Sequence, residues 1–399
     1  MTGTRRTVPI SERRARLALR HRLAPQARCD DPTEVAAGVV ALHATDPASV
    51  YLSVLARLRN GTVADVGRAL YDDRALVRLL GMRRTMFVAP LDVAAVIQAS
   101  SSRAVAVRQR RRYADLIVKG GGMSATEVDS WLRDVEEGTL RALRARGEAT
   151  GAQLSLDEPR LRTPVQLDEG KSYGGTANIT TWVLVLLALD GRIVRGRPNG
   201  TWMSTQYRWA PMDAWLPGGL KEWATADAQV ELARRWLASF GPGTIADLRW
   251  WTGWTATEVK RALVALEPVE VELEGGGTGL LLPDDVAPVT GPAEPWAALL
   301  PALDPTPMGW TGREWYLGPH KEALFDRNGN IGPTVWWAGR IVGGWARRRD
   351  GTLAYRLLED IGAAGATAVE AEAERASAWF GDAVPTPRFR TPLERELSG

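Results

Sequence analysis

Hydrophobic and polar positions divide the chain into three similar runs and a fourth of different texture. In the first run, Asp31-Pro32-Thr33-Glu34 has the form of a helix start, with Asp31 as cap, Pro32 at the first helical position and Glu34 closing a capping box. Val35, Val39 and Leu42 follow at i, i+4 and i+7, an apolar stripe on one helical face. Asp46 precedes Pro47 and is pushed out of the α region, so this helix is expected to stop near His43. A second helix then starts at Pro47 with Asp46 as its cap, which leaves His43, Ala44 and Thr45 in a tight junction between two helices. Thr62-Val63-Ala64-Asp65 opens a third helix running to about Leu70, and Leu76–Leu80 and Thr85–Val88 read as hairpin strands turned at Gly81-Met82-Arg83-Arg84. Three helices followed by a hairpin is the element order of a winged helix, a relative of the helix-turn-helix.

The order recurs twice. Helical patterns at Ser124–Arg144, Gly151–Leu154 and Asn178–Leu189 precede two strand-like segments, Arg192–Gly196 and Thr201–Trp209, around the turn signal Pro198-Asn199-Gly200. Asp227–Ser239, a start at Thr244-x-x-Asp247 and another at Thr255-x-x-Glu258 precede Val269–Glu274 and Gly279–Leu282, joined by Gly275-Gly276-Gly277. Pro288–Pro295 reads as a linker. Beyond it, Trp296–Leu357 has short apolar runs broken by turn signals at Asn328-Gly329 and Asp350-Gly351. Glu370–Phe380 reads as a closing helix and Pro385–Gly399 as a polar tail. The expected class is α+β: tandem winged-helix domains at residues 1–115, 116–222 and 223–288, with a β-rich C-terminal domain at 296–399.

Composition narrows the function classes. With 45% hydrophobic and 24% charged residues over 399 positions, the chain can bury several cores. The longest apolar run, Trp182–Leu189, is too short to span a bilayer, and the Arg-rich N-terminus has no signal core, so no membrane and no export are expected. The single cysteine, Cys29, leaves no internal disulfide. The histidines His21, His43 and His320 are far apart, so no metal is implied, and with no phosphate loop or dinucleotide fingerprint no organic cofactor is implied either. Only five of the 50 basic residues are lysine. Arginine forks phosphate and guanine bidentately, although a GC-rich genome also inflates its count. Ser11–Leu23 reads as a basic amphipathic helix. Clusters carry the signal: Arg108, Arg110, Arg111 and Arg112 follow Arg103, Arg83 and Arg84 tip the first hairpin, and Arg347, Arg348 and Arg349 precede a turn. On winged helices these are candidate phosphate contacts; singly, each reads as an ordinary solvated arginine. Among the 17 tryptophans most should be core, with one of Trp336 and Trp337 a candidate for base stacking.

Five stretches, in order, resemble the AlkZ/YcaQ-like winged-helix DNA glycosylases: the junction His43-Ala44-Thr45-Asp46-Pro47, Gly81–Pro90, Gly191–Trp202, Asp247–Val259 and Gly339–Leu353. In that family a Gln-apolar-Gln or Gln-apolar-Asp motif at the junction positions the attacking water and stabilises the sugar cation; here the polar pair is His43 and Thr45. The resemblance implies a DNA repair glycosylase that hydrolyses the N-glycosidic bond of alkylated or crosslinked purines, with no cofactor. It implies action on double-stranded DNA with alkylated bases, as a cytoplasmic, nucleoid-associated monomer. The catalytic candidates are His43 and Thr45; the alternative is a winged-helix lesion binder without catalysis. Placed at a helix C-terminus and near phosphates, His43 would be held toward its charged form. Without the resemblance it reads as a helix cap.

Overall fold

Caps written into the sequence set the helix starts. In this computed structural model, which describes residues 5–167 and 174–399, Asp46 Oδ1 accepts from Ala48 N at 3.1 Å and opens the helix Pro47–Leu55. Threonines at 62, 150, 244 and 255 close capping boxes with Asp65, Gln153, Asp247 and Glu258, opening Val63–Tyr71, Gly151–Asp157, Ile245–Thr252 and Ala256–Leu266. Asp31 caps Pro32–Gly38 through Thr33 N at 2.7 Å. Glu34 closes no box there and pairs instead with Arg22 at 3.1 Å.

The junction differs from expectation. The helix ends at Gly38, and buried Val40 takes a left-handed φ of 63° that reverses the chain. Leu42–His43 is then a short strand, not a helix terminus, added to the hairpin Leu76–Leu80/Met86–Pro90. The Met86–Pro90 strand is central in this antiparallel sheet, with Leu42 opposite Val88 and His43 opposite Phe87. Branched and apolar side chains at 39–42, all buried, favour this extended edge over further helix.

The second run gives helices Val128–Arg146, Gly151–Asp157 and Thr180–Leu189 and the hairpin Ile193–Pro198/Tyr207–Pro211. An unforeseen hairpin, Pro164–Leu167/Gly175–Asn178, precedes the third helix. The third run gives Thr225–Phe240, the two capped helices, and Val269–Leu273/Thr278–Leu281 around three glycines of positive φ. Thr7–Val8 adds to that hairpin as a parallel strand, so the N-terminal segment is tied to the third unit. The C-terminal sheet is antiparallel in chain order: Ala297–Leu300, Thr334–Trp337, Arg340–Arg347, Leu353–Leu357. Asp350-Gly351 turns its last pair. Asn328-Gly329 turns a shorter antiparallel pair, the bridge Phe325/Ile331, where Asp326 accepts from the amides of Asn328 and Asn330, both at 2.8 Å. The C-terminal segment is no loose tail, since Pro392–Ser398 is a helix that buries Leu393 and Leu397. The architecture is α+β with several small sheets.

Buried polar contacts fix the units together. Arg57 forks Asp304 at 2.8 and 2.7 Å, both side chains fully buried, and Ser53 donates to Asp304 at 2.7 Å. Ser49 donates to the Ala302 carbonyl at 2.6 Å, so the Pro47–Leu55 helix is fastened along its length to the C-terminal domain. Asp247 Oδ1 accepts from Thr311 N at 2.8 Å and fastens the helix Ile245–Thr252 to the segment that follows the strand Ala297–Leu300. The basic helix Ile10–Arg20 belongs to this framework rather than to a solvated face: Arg16 is 1% exposed and paired with Glu12 and Asp285. Among the described residues no helix is long and apolar enough to cross a membrane.

Candidate active site

His43 and Phe87 are cross-strand neighbours, and their rings meet edge-on with centroids 5.8 Å apart. Strand alternation puts His43 on the face of Phe87 and Leu79, and Leu42 on the opposite face with Val88 and Arg78. The His43 ring is partly exposed, yet its Nδ1 is enclosed and has no hydrogen-bond partner. Burial, and after it the Arg83 guanidinium, pushes the imidazole down to about 3. This reverses the expectation of a charge-favouring helix end, because no helix end is there. His43 is neutral at physiological pH, with a free nitrogen. Thr45 follows in a bend and is partly exposed. Asp46 is 6% exposed, and both its oxygens are engaged: Oδ1 by Ala48 N, Oδ2 by the backbone N of Arg388 at 3.0 Å. Burial raises its carboxyl, and these amides oppose the rise.

Two arginines behind the junction, buried Arg78 and half-buried Arg195, have no counterpart in the sequence expectations. Arg78, in the middle of the apolar strand Leu-Val-Arg-Leu-Leu, donates from Nη1 to the Ala44 carbonyl at 3.1 Å. It braces the His-Ala-Thr segment from behind, is 4% exposed, and lies over the Tyr207 ring at 4.8 Å. Arg195 flanks the same ring at 5.4 Å; burial first, then the Arg78 charge, lowers it to about 10. A lone arginine inside an otherwise apolar strand was the available signal for Arg78. Tyr51, Tyr71, Arg197 and Trp202 border an open cavity of about 350 Å³ beside the helix that follows the junction. Trp202 tilts against Tyr51 at 5.2 Å, so the 193–211 hairpin reaches over the helix that follows the junction. Among the described residues no three His, Cys, Asp or Glu side chains gather as a metal site.

The family model for the AlkZ-like DNA glycosylases matches residues 36–379. The chain belongs to that family. Among solved structures, the Streptomyces sahachiroi DNA glycosylase AlkZ matches 96% of this chain and 99% of its own, with TM-score 0.72 and 20% identity, a likeness of fold. No curated protein matches by sequence.

The candidate DNA-contacting arginines of this glycosylase-family chain fall into two groups. Arg108, Arg111 and Arg112 lie exposed on the helix Arg103–Gly121, with no ion pair among the described residues. Arg84 is exposed at the first hairpin turn, where it and Arg83 take left-handed φ of 60° and 54°. Arg110, by contrast, is bonded to Glu136 at 2.8 Å, so it serves the fold and is not a free phosphate contact. Arg347 donates to the Gly381 carbonyl at 3.0 Å and lies over Phe380, and Arg348 donates to the Leu397 carbonyl at 3.1 Å; both hold the C-terminal helices. Arg83, exposed like Arg84, lies with its guanidinium over Trp250 at 4.3 Å. Trp336 is fully buried, whereas its neighbour Trp337 is partly exposed. Trp250 is partly exposed.

Proposed function

We propose that this protein excises alkylated or crosslinked purines from double-stranded DNA by hydrolysing the N-glycosidic bond, on a tandem winged-helix scaffold with units near residues 1–115, 116–222 and 223–288. What supports the reading is the family match over residues 36–379, together with a partly exposed His43 in the junction between Val40 and Pro47. N-alkylation gives the purine a positive charge, so the leaving group needs no proton. What remains is to place water and stabilise an oxocarbenium-like sugar. A neutral imidazole accepts a hydrogen bond from water and orients it; held this far down, His43 positions the water, whose proton passes to solvent as the new C–O bond forms. Thr45, two residues on, holds the same water through its hydroxyl. Arg78 keeps the segment in place through the Ala44 carbonyl. Arg84, Arg108, Arg111 and Arg112 supply phosphate contacts, and the protein acts as a monomer on the nucleoid.

One observation favours a second reading, a lesion binder without catalysis. Asp46, the acidic side chain of the junction, has both oxygens occupied by backbone amides. A duplex containing N7-methylguanine separates the two. Alkali-labile abasic sites above the spontaneous background support excision; a gel shift without abasic product supports the binder.

A further inference from the structure

Three units of the chain place side chains around one indole on the side of the junction where His43 lies. Trp250 comes from the helix Ile245–Thr252, Arg83 from the first hairpin turn, and Arg313 from the C-terminal domain. The Arg83 and Arg313 guanidiniums lie over the Trp250 ring at 4.3 and 5.0 Å, and Arg313 is also 5.1 Å from the Phe325 ring. Many arginines of this protein are matched to carboxylates, as Arg57 is to Asp304 and Arg110 to Glu136. These two are not: among the described residues neither guanidinium has a carboxylate partner, and Nε and Nη2 of Arg313 are enclosed and unpartnered. The two charges are close enough to act on each other, since desolvation first, then Arg313, holds Arg83 below its ordinary value. The Arg83 charge also reaches His43.

Holding two unneutralised guanidiniums against one ring costs Coulomb energy, which an anion between them would recover. The fork of donors on a guanidinium matches phosphate oxygens, and the indole fixes both forks in position. We infer that Arg313 and Arg83, set on Trp250, form a clamp for a backbone phosphodiester of the DNA strand whose nucleotide faces His43. The inference rests on the DNA glycosylase reading and adds Arg313, a residue outside every basic cluster of the sequence, as a DNA contact. It also gives the wing and the C-terminal domain a shared role: DNA is held where the two meet.

The test uses a duplex with a tetrahydrofuran abasic analogue, which has no base to excise. Affinity is measured by fluorescence anisotropy, and phosphate contacts are mapped by ethylation interference. Removing a charge-assisted bond to phosphate should cost Arg313→Gln about tenfold in affinity. Interference should vanish at one or two phosphates near the analogue and persist elsewhere. Arg83→Gln should erase the same positions, and Arg313→Lys, which keeps charge without the fork, should recover part of the affinity. An Arg313→Gln protein with the parent's affinity and footprint overturns the clamp. Inorganic phosphate that protects the free parent protein from thermal unfolding but not Arg313→Gln, with an unchanged DNA footprint, assigns the pair to a free anion and also overturns it. Because the analogue is not excised, a clamp footprint in a protein that makes no abasic sites counts against the glycosylase reading alone.

Discussion

Removing Arg57 should be among the most damaging single changes in the chain. Arg57 and Asp304 are both 0% exposed and joined by two hydrogen bonds, while Ser53 Oγ and Thr306 N also donate to Asp304. Burial alone would raise the Asp304 carboxyl; the Arg57 charge, its hydrogen bonds and those of Ser53 and Thr306 override burial and hold it below the ordinary value. Arg57→Met keeps the volume of the stem and leaves a buried carboxylate with only neutral donors. The loss should be about 3–5 kcal/mol, the range for breaking a buried pair from one side. The pH dependence gives a sharper signature. In the parent, a depressed carboxyl contributes stability above its unfolded value, which is lost as pH falls through the folded value. In Arg57→Met the carboxyl is raised, so protonation relieves the defect, and the gap between variant and parent should narrow from about pH 7 to about pH 5. Arg57→Met with Asp304→Leu should recover much of the loss, because an apolar replacement of both partners leaves no orphan charge. Urea denaturation followed by tryptophan fluorescence measures all three proteins. A single variant within about 1 kcal/mol of the parent, or a gap that does not narrow on acidification, would refute the reasoning.

Since burial and Arg83 hold His43 down to about 3, its neutral form dominates through the neutral range, and the single-turnover excision rate should be flat from about pH 5.5 to pH 8; a steep rise through neutrality contradicts a neutral imidazole. Thr45→Ala should be the milder loss beside His43→Ala, and His43→Gln, which restores the family's residue, should remain active with the same flat profile. Replacing Arg108, Arg111 and Arg112 by Gln should lower the salt slope of duplex binding by about one for each phosphate no longer neutralised, read by anisotropy over a salt series; an unchanged slope removes that helix from the interface. Arg84→Ala should weaken binding to damaged and undamaged duplex alike with no change in melting. Arg83→Ala should also lower the melting point, by about 0.5–2 kcal/mol of stability, since its stacking on Trp250 is removed.

Much of the scaffold was legible because its signals are local. Thr244-x-x-Asp247 and Thr255-x-x-Glu258 are capping boxes in the sequence and in the fold, and Gly275-Gly276-Gly277 supplies the positive φ its turn requires. The junction was legible as a break and not as a strand. Two residues pair there only because Met86–Pro90 offers an edge, and a partner supplied by tertiary structure leaves no periodic trace. The same limit explains Thr7–Val8, which pairs with Glu272 and Leu273, far along the chain. Charge was the least legible feature. Arg110, Arg347 and Arg348 stand in runs that look solvated, yet each is taken up by a carboxylate or carbonyl brought in by the fold. Arg78 and Arg313, lone arginines among apolar or mixed neighbours, sit closer to the junction and the Trp250 indole than the runs suggested.

The central claim is that the His43-Ala44-Thr45 junction hydrolyses a glycosidic bond. Its most direct measurement is single-turnover formation of abasic sites in an N7-methylguanine duplex by the parent protein and by His43→Ala, with a protein-free control. Alkali-labile product is expected from the parent well above the control, with loss of most of that rate in His43→Ala and duplex affinity retained. A parent protein that shifts the duplex and leaves every methylguanine in place, or a His43→Ala protein that excises as fast as the parent, would contradict it.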